Sequence, residues 1–159
     1  MTQAALKPGT QAANTQAIVV DEVFPHAPEA IWKVLTTGAL IGRWLMAPTG
    51  FAPVKGKQFT FRTKLAGAWD GTIHCQVLEV IPNERLTYAW KGGDEGNIGY
   101  GAPLDTVVTF TLSRVQGGTR LHLVHSGFVS PRNDTALTNM GAGWKKVVKD
   151  LGAIAGENN

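Results

Sequence analysis

The chain has 159 residues, of which 43% are hydrophobic, and its formal net charge is +3; this predicts one globular domain with a single core. The basic residues are scattered, so the sequence does not predict a surface for nucleic acid. The one cysteine excludes an intramolecular disulfide, and neither a signal peptide nor a membrane-spanning run is recognisable, so we expect a cytoplasmic protein without membrane insertion.

The first predicted element is a strand. Residues 1–15 are polar and without a period, and we expect a disordered arm there, followed by one domain over residues 16–156. Residues 16–24 are rich in β-branched side chains and partly alternating, which predicts a strand. Asp21 and Glu22 are neighbours on it, so one carboxylate faces inward, and the pattern leaves open which one.

Two short helices are predicted next. The first opens at Pro28, because proline suits the first turn of a helix. Thr37 is expected to cap the second, which continues to Trp44.

The middle of the chain is predicted to form a run of antiparallel strands, since short turns force antiparallel pairing. These strands are expected at residues 57–64, 69–81, 84–91, 105–115 and 119–128. Residues 92–103 are too rich in glycine for regular structure. We interpret them as a mobile lip at the mouth of a cavity, and a plain flexible connection is the alternative.

The last predicted element is a long amphipathic helix over residues 133–156. Its apolar residues recur at helical spacing and form one stripe. The stripe consists of Leu137, Met140, Trp144, Val147, Val148, Leu151 and Ile154. Gly141 and Gly143 stand inside this helix, where each costs about 1 kcal/mol relative to alanine. We therefore expect a close approach to another backbone, or a bend, at these glycines.

The order of elements predicts the α+β class. We expect a curved antiparallel sheet of about six or seven strands wrapped around the long helix. One helix does not fill the hollow of such a sheet, so the geometry also predicts a cavity between them.

Aromatic residues carry the strongest functional signal, because tryptophan and tyrosine combine an apolar body with a polar tip. A pocket with apolar walls and a few polar groups is typical of small-molecule sites. We predict that the cavity is lined by Phe61, Trp69, Tyr88, Trp90, Phe110, Leu123, His125, Met140 and Trp144. Core packing is the alternative role for these side chains.

The histidines do not predict a metal site. His122 and His125 are three residues apart on a strand, and His74 and Cys75 are neighbours, so the members of each pair face opposite sides. His125 shares a face with Leu123, which we interpret as the cavity side. His125 then has three alternative roles: an ordinary buried histidine, a polar anchor for a ligand, or a general acid or base. No serine or cysteine has the context of a nucleophile.

Several segments resemble one family. They are APEAIW at residues 27–32, LTTGALIGRW at 35–44, IPNERLTYAW at 81–90, GGTRLHLVHSGF at 117–128 and the Gly143-Trp144 pair. The chain is similar over about residues 16–155 to the START-like (SRPBCC) superfamily, and within it to the homologues of the activator of heat-shock-protein-90 ATPase. The resemblance implies a helix-grip fold with an apolar cavity, and the family name implies a chaperone partner.

Three functional hypotheses follow. The first is non-covalent binding of a small apolar or aromatic molecule, without a cofactor. The second is an interaction module that binds a chaperone or another protein. The third is a cofactor-free enzyme of the cyclase or hydrolase kind that uses His125. The sequence favours the first, and it leaves the ligand, the partner and the oligomeric state open.

Overall fold

The computed structural model describes residues 15–157. Within this range the chain forms six strands and three helices. The strands are β1 (Thr15–Phe24), β2 (Gln58–Arg62), β3 (Thr72–Ile81), β4 (Arg85–Gly92), β5 (Leu104–Val115) and β6 (Gly118–Val129), and the helices are α1 (Pro28–Thr36), α2 (Gly38–Trp44) and α3 (Asp134–Gly156). The arm expected over residues 1–15 lies outside the described residues, except that Thr15 already belongs to β1.

The strands form one open antiparallel sheet in the order β1-β6-β5-β4-β3-β2. The α+β class and the helix-grip arrangement are therefore confirmed. The register places Tyr88 opposite Val108, and Val108 opposite His125. Neighbours in register share a face of the sheet, and all three residues are buried. The inward face that the alternating pattern predicts is thus the observed one.

Helix α3 closes the inward face of the sheet. Its 23 residues span about 34 Å at the rise of an α-helix, and it packs against α1, α2, β1 and β6. The predicted stripe is confirmed: its centre is buried and its margins are partly buried. The buried members are Trp144, Val148, Leu151 and Ile154, and the marginal ones are Leu137, Met140 and Val147.

The predicted close approach at Gly141 and Gly143 is wrong. A methyl group added to either residue would meet nothing within 4 Å. The close approach lies instead at Gly152, where an added Cβ would stand 2.3 Å from Cε1 of Phe24. A ring on β1, rather than another backbone, is what requires a glycine in α3.

Two local predictions also differ from the structure. Thr37 occupies the N-cap position of α2, but its side chain makes no capping hydrogen bond. Trp69 was expected in a strand, whereas β3 begins at Thr72. The chain turns before this strand because Gly71 has a φ of +87°, a conformation that favours glycine. Trp69 therefore lies in a tight turn, where it exchanges backbone hydrogen bonds with Ala66.

Candidate functional site

A cavity of about 260 Å³ lies between the sheet and the first half of α3. On the sheet side it is bordered by Ile73 of β3, Trp90 of β4 and Leu104 of β5, and residues of the glycine-rich segment also line it. Helix α3 contributes Ala136, Asn139, Met140, Gly143, Trp144 and Val147. Among the described residues that line it, no side chain carries a charge. The cavity therefore favours apolar, uncharged contents, because an unpaired charge is costly to remove from water.

Aromatic rings form much of the cavity wall. The centroids of Trp90 on β4 and Trp144 on α3 are 5.7 Å apart, and their planes are inclined by 56°. Trp69 and Tyr100 form a second pair, with centroids 5.9 Å apart. Tilted pairs at such distances are favourable for aromatic rings. The two pairs give the cavity rigid, polarisable walls.

The predicted site residues fall into two groups. Trp69, Trp90, Met140 and Trp144 line the cavity. The remaining residues lie in the core, outside the lining: Phe61, Tyr88, Phe110, Leu123 and His125. Trp44 of α2 covers Phe110 in an edge contact at 6.1 Å, which shows why an inward position on the sheet need not reach the cavity. A ligand-binding role for the lining residues stays a prediction.

Sequence reasoning missed several lining residues. The aliphatic ones are Leu45, Met46, Ile73 and Leu104, and the small ones include Gly92, Gly93, Gly101 and Gly143. A signal was present for Gly143, because a glycine in a helix interior needs an explanation. In the structure, Gly143 lines the cavity, and the space beside its Cα is open. The aliphatic residues show no pattern that separates them from ordinary core residues.

His125 lies at the centre of a buried chain of hydrogen bonds. Trp144 donates its indole N–H to Nδ1 of His125 over 2.9 Å. Because Nδ1 accepts, the ring proton must be on Nε2, which lies 2.7 Å from Oγ1 of Thr106. The hydroxyl of Thr106 in turn donates to the backbone carbonyl of Trp90 over 2.7 Å. Every donor and acceptor of the imidazole is used.

This environment keeps His125 neutral. Burial lowers the pKa of the imidazole from 6.5 to about 3, since a charged ring would lose its water without gaining a counter-charge. With both nitrogens paired, the geometry fits the interpretation of an ordinary buried histidine. It does not support His125 as a ligand anchor or as a general acid or base.

Burial also keeps the other titratable core residues uncharged. It raises the pKa of the Cys75 thiol to about 12, so the thiol remains protonated and is a poor nucleophile. The pKa of Tyr88 is likewise held well above 10 by burial.

One buried polar atom has no partner. Among the described residues, Nε1 of Trp90 is the buried side-chain nitrogen or oxygen that lacks a hydrogen bond. The comparable indoles are satisfied within the protein: Trp44 donates to the carbonyl of Val34 over 3.2 Å, and Trp69 donates to the carbonyl of Thr72 over 2.9 Å. An unpaired buried donor is unusual in a folded protein.

Residues of the glycine-rich segment line the cavity, and their role as a mobile lip at its mouth stays a prediction. The segment is tied to the loop between β2 and β3 by two hydrogen bonds. The hydroxyl of Tyr100 donates to the carbonyl of Lys64 over 2.5 Å, and the amide of Asn97 donates to the carbonyl of Ala66 over 2.7 Å. These two hydrogen bonds link the two loops.

Neither carboxylate of β1 lines the cavity. Asp21 lies on the outer face of the sheet, where Nε of Arg120 donates to it over 2.8 Å. That hydrogen bond lowers the pKa of Asp21. Glu22 is on the inward side with Val20, and it is partly exposed. The question that the sequence left open is thus answered by Glu22 facing inward, at a place remote from the cavity lining.

Within residues 15–157, none of the helices is long and apolar enough to cross a bilayer. The same residues contain no group of three or more histidine, cysteine, aspartate or glutamate side chains placed to hold a metal ion.

The curved sheet, the long helix across it and the apolar cavity between them define a helix-grip protein of the START-like class. Residues 25–156 match the family described as Activator of Hsp90 ATPase homolog 1-like protein. The chain belongs to this family, and the resemblance found in its sequence is confirmed. Family and fold together support a ligand-binding or Aha1-like domain in general terms. No curated protein matches the chain.

Solved structures of similar proteins agree with this assignment. Protein MLL2253 from Mesorhizobium loti is 32% identical, and the match covers 91% of this chain and 99% of that one with a TM-score of 0.78. CalU16 from Micromonospora echinospora is 24% identical over 89% of this chain and 76% of its own, with a TM-score of 0.67. The Aha1 dimer from Colwellia psychrerythraea is 21% identical, with 86% and 92% covered and a TM-score of 0.65. The last two similarities concern the fold alone.

Proposed function

We propose that the protein binds a small, uncharged, apolar or aromatic molecule non-covalently in the cavity between β3, β4 and α3. The observation that carries this proposal is a cavity of about 260 Å³ with aromatic walls and no charged side chain in its described lining. Such a cavity is at the small end of ligand sites, which typically measure about 300–1,000 Å³. The cavity suits a molecule about the size of two fused aromatic rings.

The binding energy would come mainly from burial of apolar surface. Each Å² of apolar surface removed from water contributes about 25 cal/mol, and a rigid wall costs little entropy when the ligand enters. An ionic ligand is disfavoured, since it would lose its water without finding a counter-charge.

Naphthalene is a suitable probe, because it has the required size and no polar group. The test titrates it into the protein and into two glycine variants of α3, Gly143→Leu and Gly141→Leu. Both positions have free space next to Cα, and both replacements improve helix propensity. Of the two, Gly143 lines the cavity.

We expect the Gly143→Leu variant to bind naphthalene at least about tenfold more weakly than the wild type, since the new side chain occupies the site. The Gly141→Leu variant should bind like the wild type. Absence of binding to the wild type, or equal affinities in both variants, would contradict the proposed function.

A second candidate function is an interaction module, as in the Aha1-like description of the family. The observation that favours it is an apolar rim on the two linked loops, where Leu65 is 66% exposed and Ile98 is 98% exposed. Contiguous exposed apolar patches often mark interaction sites, and this proposal requires Leu65 and Ile98 to belong to one such patch. The test is stimulation of the ATPase of an Hsp90-type chaperone by the wild type and by the Leu65→Ser/Ile98→Ser double variant. Stimulation that the double variant loses would support this function, and absence of stimulation would overturn it.

A further inference from the structure

We propose that His125 and Thr106 are positioning residues for ligand binding, because together they hold the indole ring of Trp144 in its place in the cavity wall. This inference rests on the proposed function and deepens it. Neither His125 nor Thr106 lines the cavity, so both act on a bound molecule only through Trp144.

The first step is a chain of three buried hydrogen bonds that runs from the sheet to α3. It begins at the backbone carbonyl of Trp90 on β4, which accepts from the hydroxyl of Thr106 on β5 over 2.7 Å. Oγ1 of Thr106 lies 2.7 Å from Nε2 of His125 on β6. The chain ends at Nδ1 of His125, which accepts from the indole N–H of Trp144 over 2.9 Å. Three neighbouring strands are thus connected to one side chain of the helix.

The second step is that each link of this chain has only one direction. The hydroxyl proton of Thr106 is used on a carbonyl, so its oxygen is left to accept from Nε2 of His125. Nε2 then carries the ring proton, and Nδ1 is free to accept from Trp144. Thr106 and His125 are both buried, so water does not compete for these groups. Thr106 therefore selects the tautomer of His125 that Trp144 requires.

The third step concerns the other contacts of the Trp144 ring. The rings of Trp90 and Phe110 pack against it, with centroids 5.7 and 5.9 Å away. Aromatic contacts are favourable over a range of tilts and offsets, whereas a hydrogen bond requires one direction. On the cavity side the ring borders open space, next to Gly143, where an added Cβ would meet nothing within 4 Å. The bond to His125 is therefore the contact that fixes the orientation of the ring.

Loss of this acceptor should change the shape of the cavity. A buried indole N–H without a partner is costly, because it has lost its water and gained nothing in return. The open side of the Trp144 ring is the cavity, so the ring is expected to tilt toward it. A tilted ring occupies space that the bound molecule needs.

The test measures the affinity for naphthalene of the wild type and of two variants, His125→Leu and His125→Asn. Leucine offers no acceptor. Asparagine carries its amide oxygen at the same place along the side chain as Nδ1, so it still accepts from Trp144. We expect His125→Leu to bind about tenfold more weakly than the wild type and His125→Asn to stay within about threefold of it. A purely structural role predicts the opposite order, since asparagine is the smaller and more polar replacement in an apolar core.

The Trp144→Phe background supplies the matched control. Phenylalanine keeps a ring in the cavity wall and has no N–H, so it leaves His125 nothing to position. In this background the naphthalene affinities of His125→Leu and His125→Asn should agree within about twofold. A tenfold difference that persists there would show that the side chain acts by another route, and it would overturn the proposal.

A second pair of variants carries the test if His125→Leu does not fold. Thr106→Ser keeps the hydroxyl, and Thr106→Val replaces it with a methyl group, which leaves Nε2 of His125 unpaired. We expect Thr106→Val to bind naphthalene about threefold more weakly than Thr106→Ser. In ¹H–¹⁵N spectra, the indole signal of Trp144 is assigned by its absence from the Trp144→Phe spectrum. Its proton should lie further upfield in Thr106→Val than in Thr106→Ser, as expected for a weaker hydrogen bond.

The outcomes separate this inference from the proposed function. If the wild type binds naphthalene, and His125→Asn binds as weakly as His125→Leu or more weakly, the positioning role is wrong and the proposed function stands. Equal affinities and equal indole signals in the two Thr106 variants would remove Thr106 from the proposal. Failure of the wild type to bind naphthalene would overturn both.

Discussion

Trp144 serves two parts of the molecule at once. Its indole ring lines the cavity. Its indole N–H donates to Nδ1 of His125, which fixes the tautomer of that histidine inside the core. A hydrogen bond between two buried groups contributes little net stability, but removing one partner leaves the other unsatisfied. The residue therefore couples the shape of the cavity to the stability of the core.

We predict that Trp144→Ala is among the most destabilising single substitutions in the chain. Truncation of a buried aromatic side chain typically costs about 3–5 kcal/mol, and Trp144 is 3% exposed. Trp144→Phe should cost less, about 1–3 kcal/mol, since it keeps most of the ring volume and loses the donor to His125. Urea denaturation measures both. Midpoints equal to that of the wild type would show that the indole does not support the core.

Protonation of His125 predicts a dependence of stability on pH. The unfolded chain takes up this proton near pH 6.5, and the folded protein does so only near pH 3. Between these values the unfolded state binds more protons, so the free energy of unfolding falls as the pH is lowered, by about 1.4 kcal/mol per unit. Above pH 6.5 the group makes no such contribution.

The comparison of the wild type with His125→Gln isolates this effect. The wild type should be the more stable protein at pH 7.5, and the gap should shrink by about 3 kcal/mol at pH 4.5, because glutamine does not titrate. Chemical denaturation at both values checks the prediction. A gap that is constant over this range would mean that folded His125 binds its proton like the unfolded chain.

At the scale of elements, α3 is a helix of two halves. Its first half borders the cavity, between Ala136 and Val147, and in its second half Gly152 lies against the ring of Phe24 on β1. Its glycines differ accordingly. Gly141 and Gly143 have open space beside them, whereas Gly152 is covered by the ring of Phe24.

Alanine at two of these glycines should therefore have opposite effects. Gly141→Ala should stabilise the protein by about 1 kcal/mol, because it removes a conformational cost and meets no atom. Gly152→Ala should destabilise it by about 1–2 kcal/mol, since the ring of Phe24 must move out of its packing position. Thermal and urea denaturation of the two variants test the pair. If both substitutions stabilise the protein, the ring of Phe24 moves away from residue 152 without a cost in packing energy.

The elements were predictable because their signals are local. Alternation marked the inward faces of β4 and β6, helical spacing marked α3, and short glycine turns marked the connections. The lining of the cavity depends on non-local packing. Phe110 and Trp90 both point inward from neighbouring strands, yet α2 covers the first and a glycine-rich segment follows the second. No local pattern distinguishes the two residues.

At the scale of the whole molecule, the first two strands of the chain lie at opposite edges of the sheet. The segment between them carries α1 and α2, which pack against α3 and against each other, and α1 also packs against β5 and β6. The cavity is lined by the first half of α3 and by residues of both linked loops. Its position therefore depends on contacts between elements that are far apart in the chain.

The same linked loops should govern how long a bound molecule stays. The hydroxyl of Tyr100 holds one loop to the carbonyl of Lys64, and a molecule that leaves through the mouth has to wait for such contacts to open.

The Tyr100→Phe variant removes that hydrogen bond and keeps the aromatic ring. If the occupied protein keeps this bond, its loss affects the free and the occupied state equally. We then expect association and dissociation of naphthalene to accelerate together, by about threefold to tenfold, with an unchanged Kd. Stopped-flow fluorescence measures both rates. A change in the dissociation rate alone, and hence in Kd, would place Tyr100 among the binding contacts instead. In the expected case, the linked loops set the residence time of the bound molecule, and the aromatic rings of the cavity wall set its affinity.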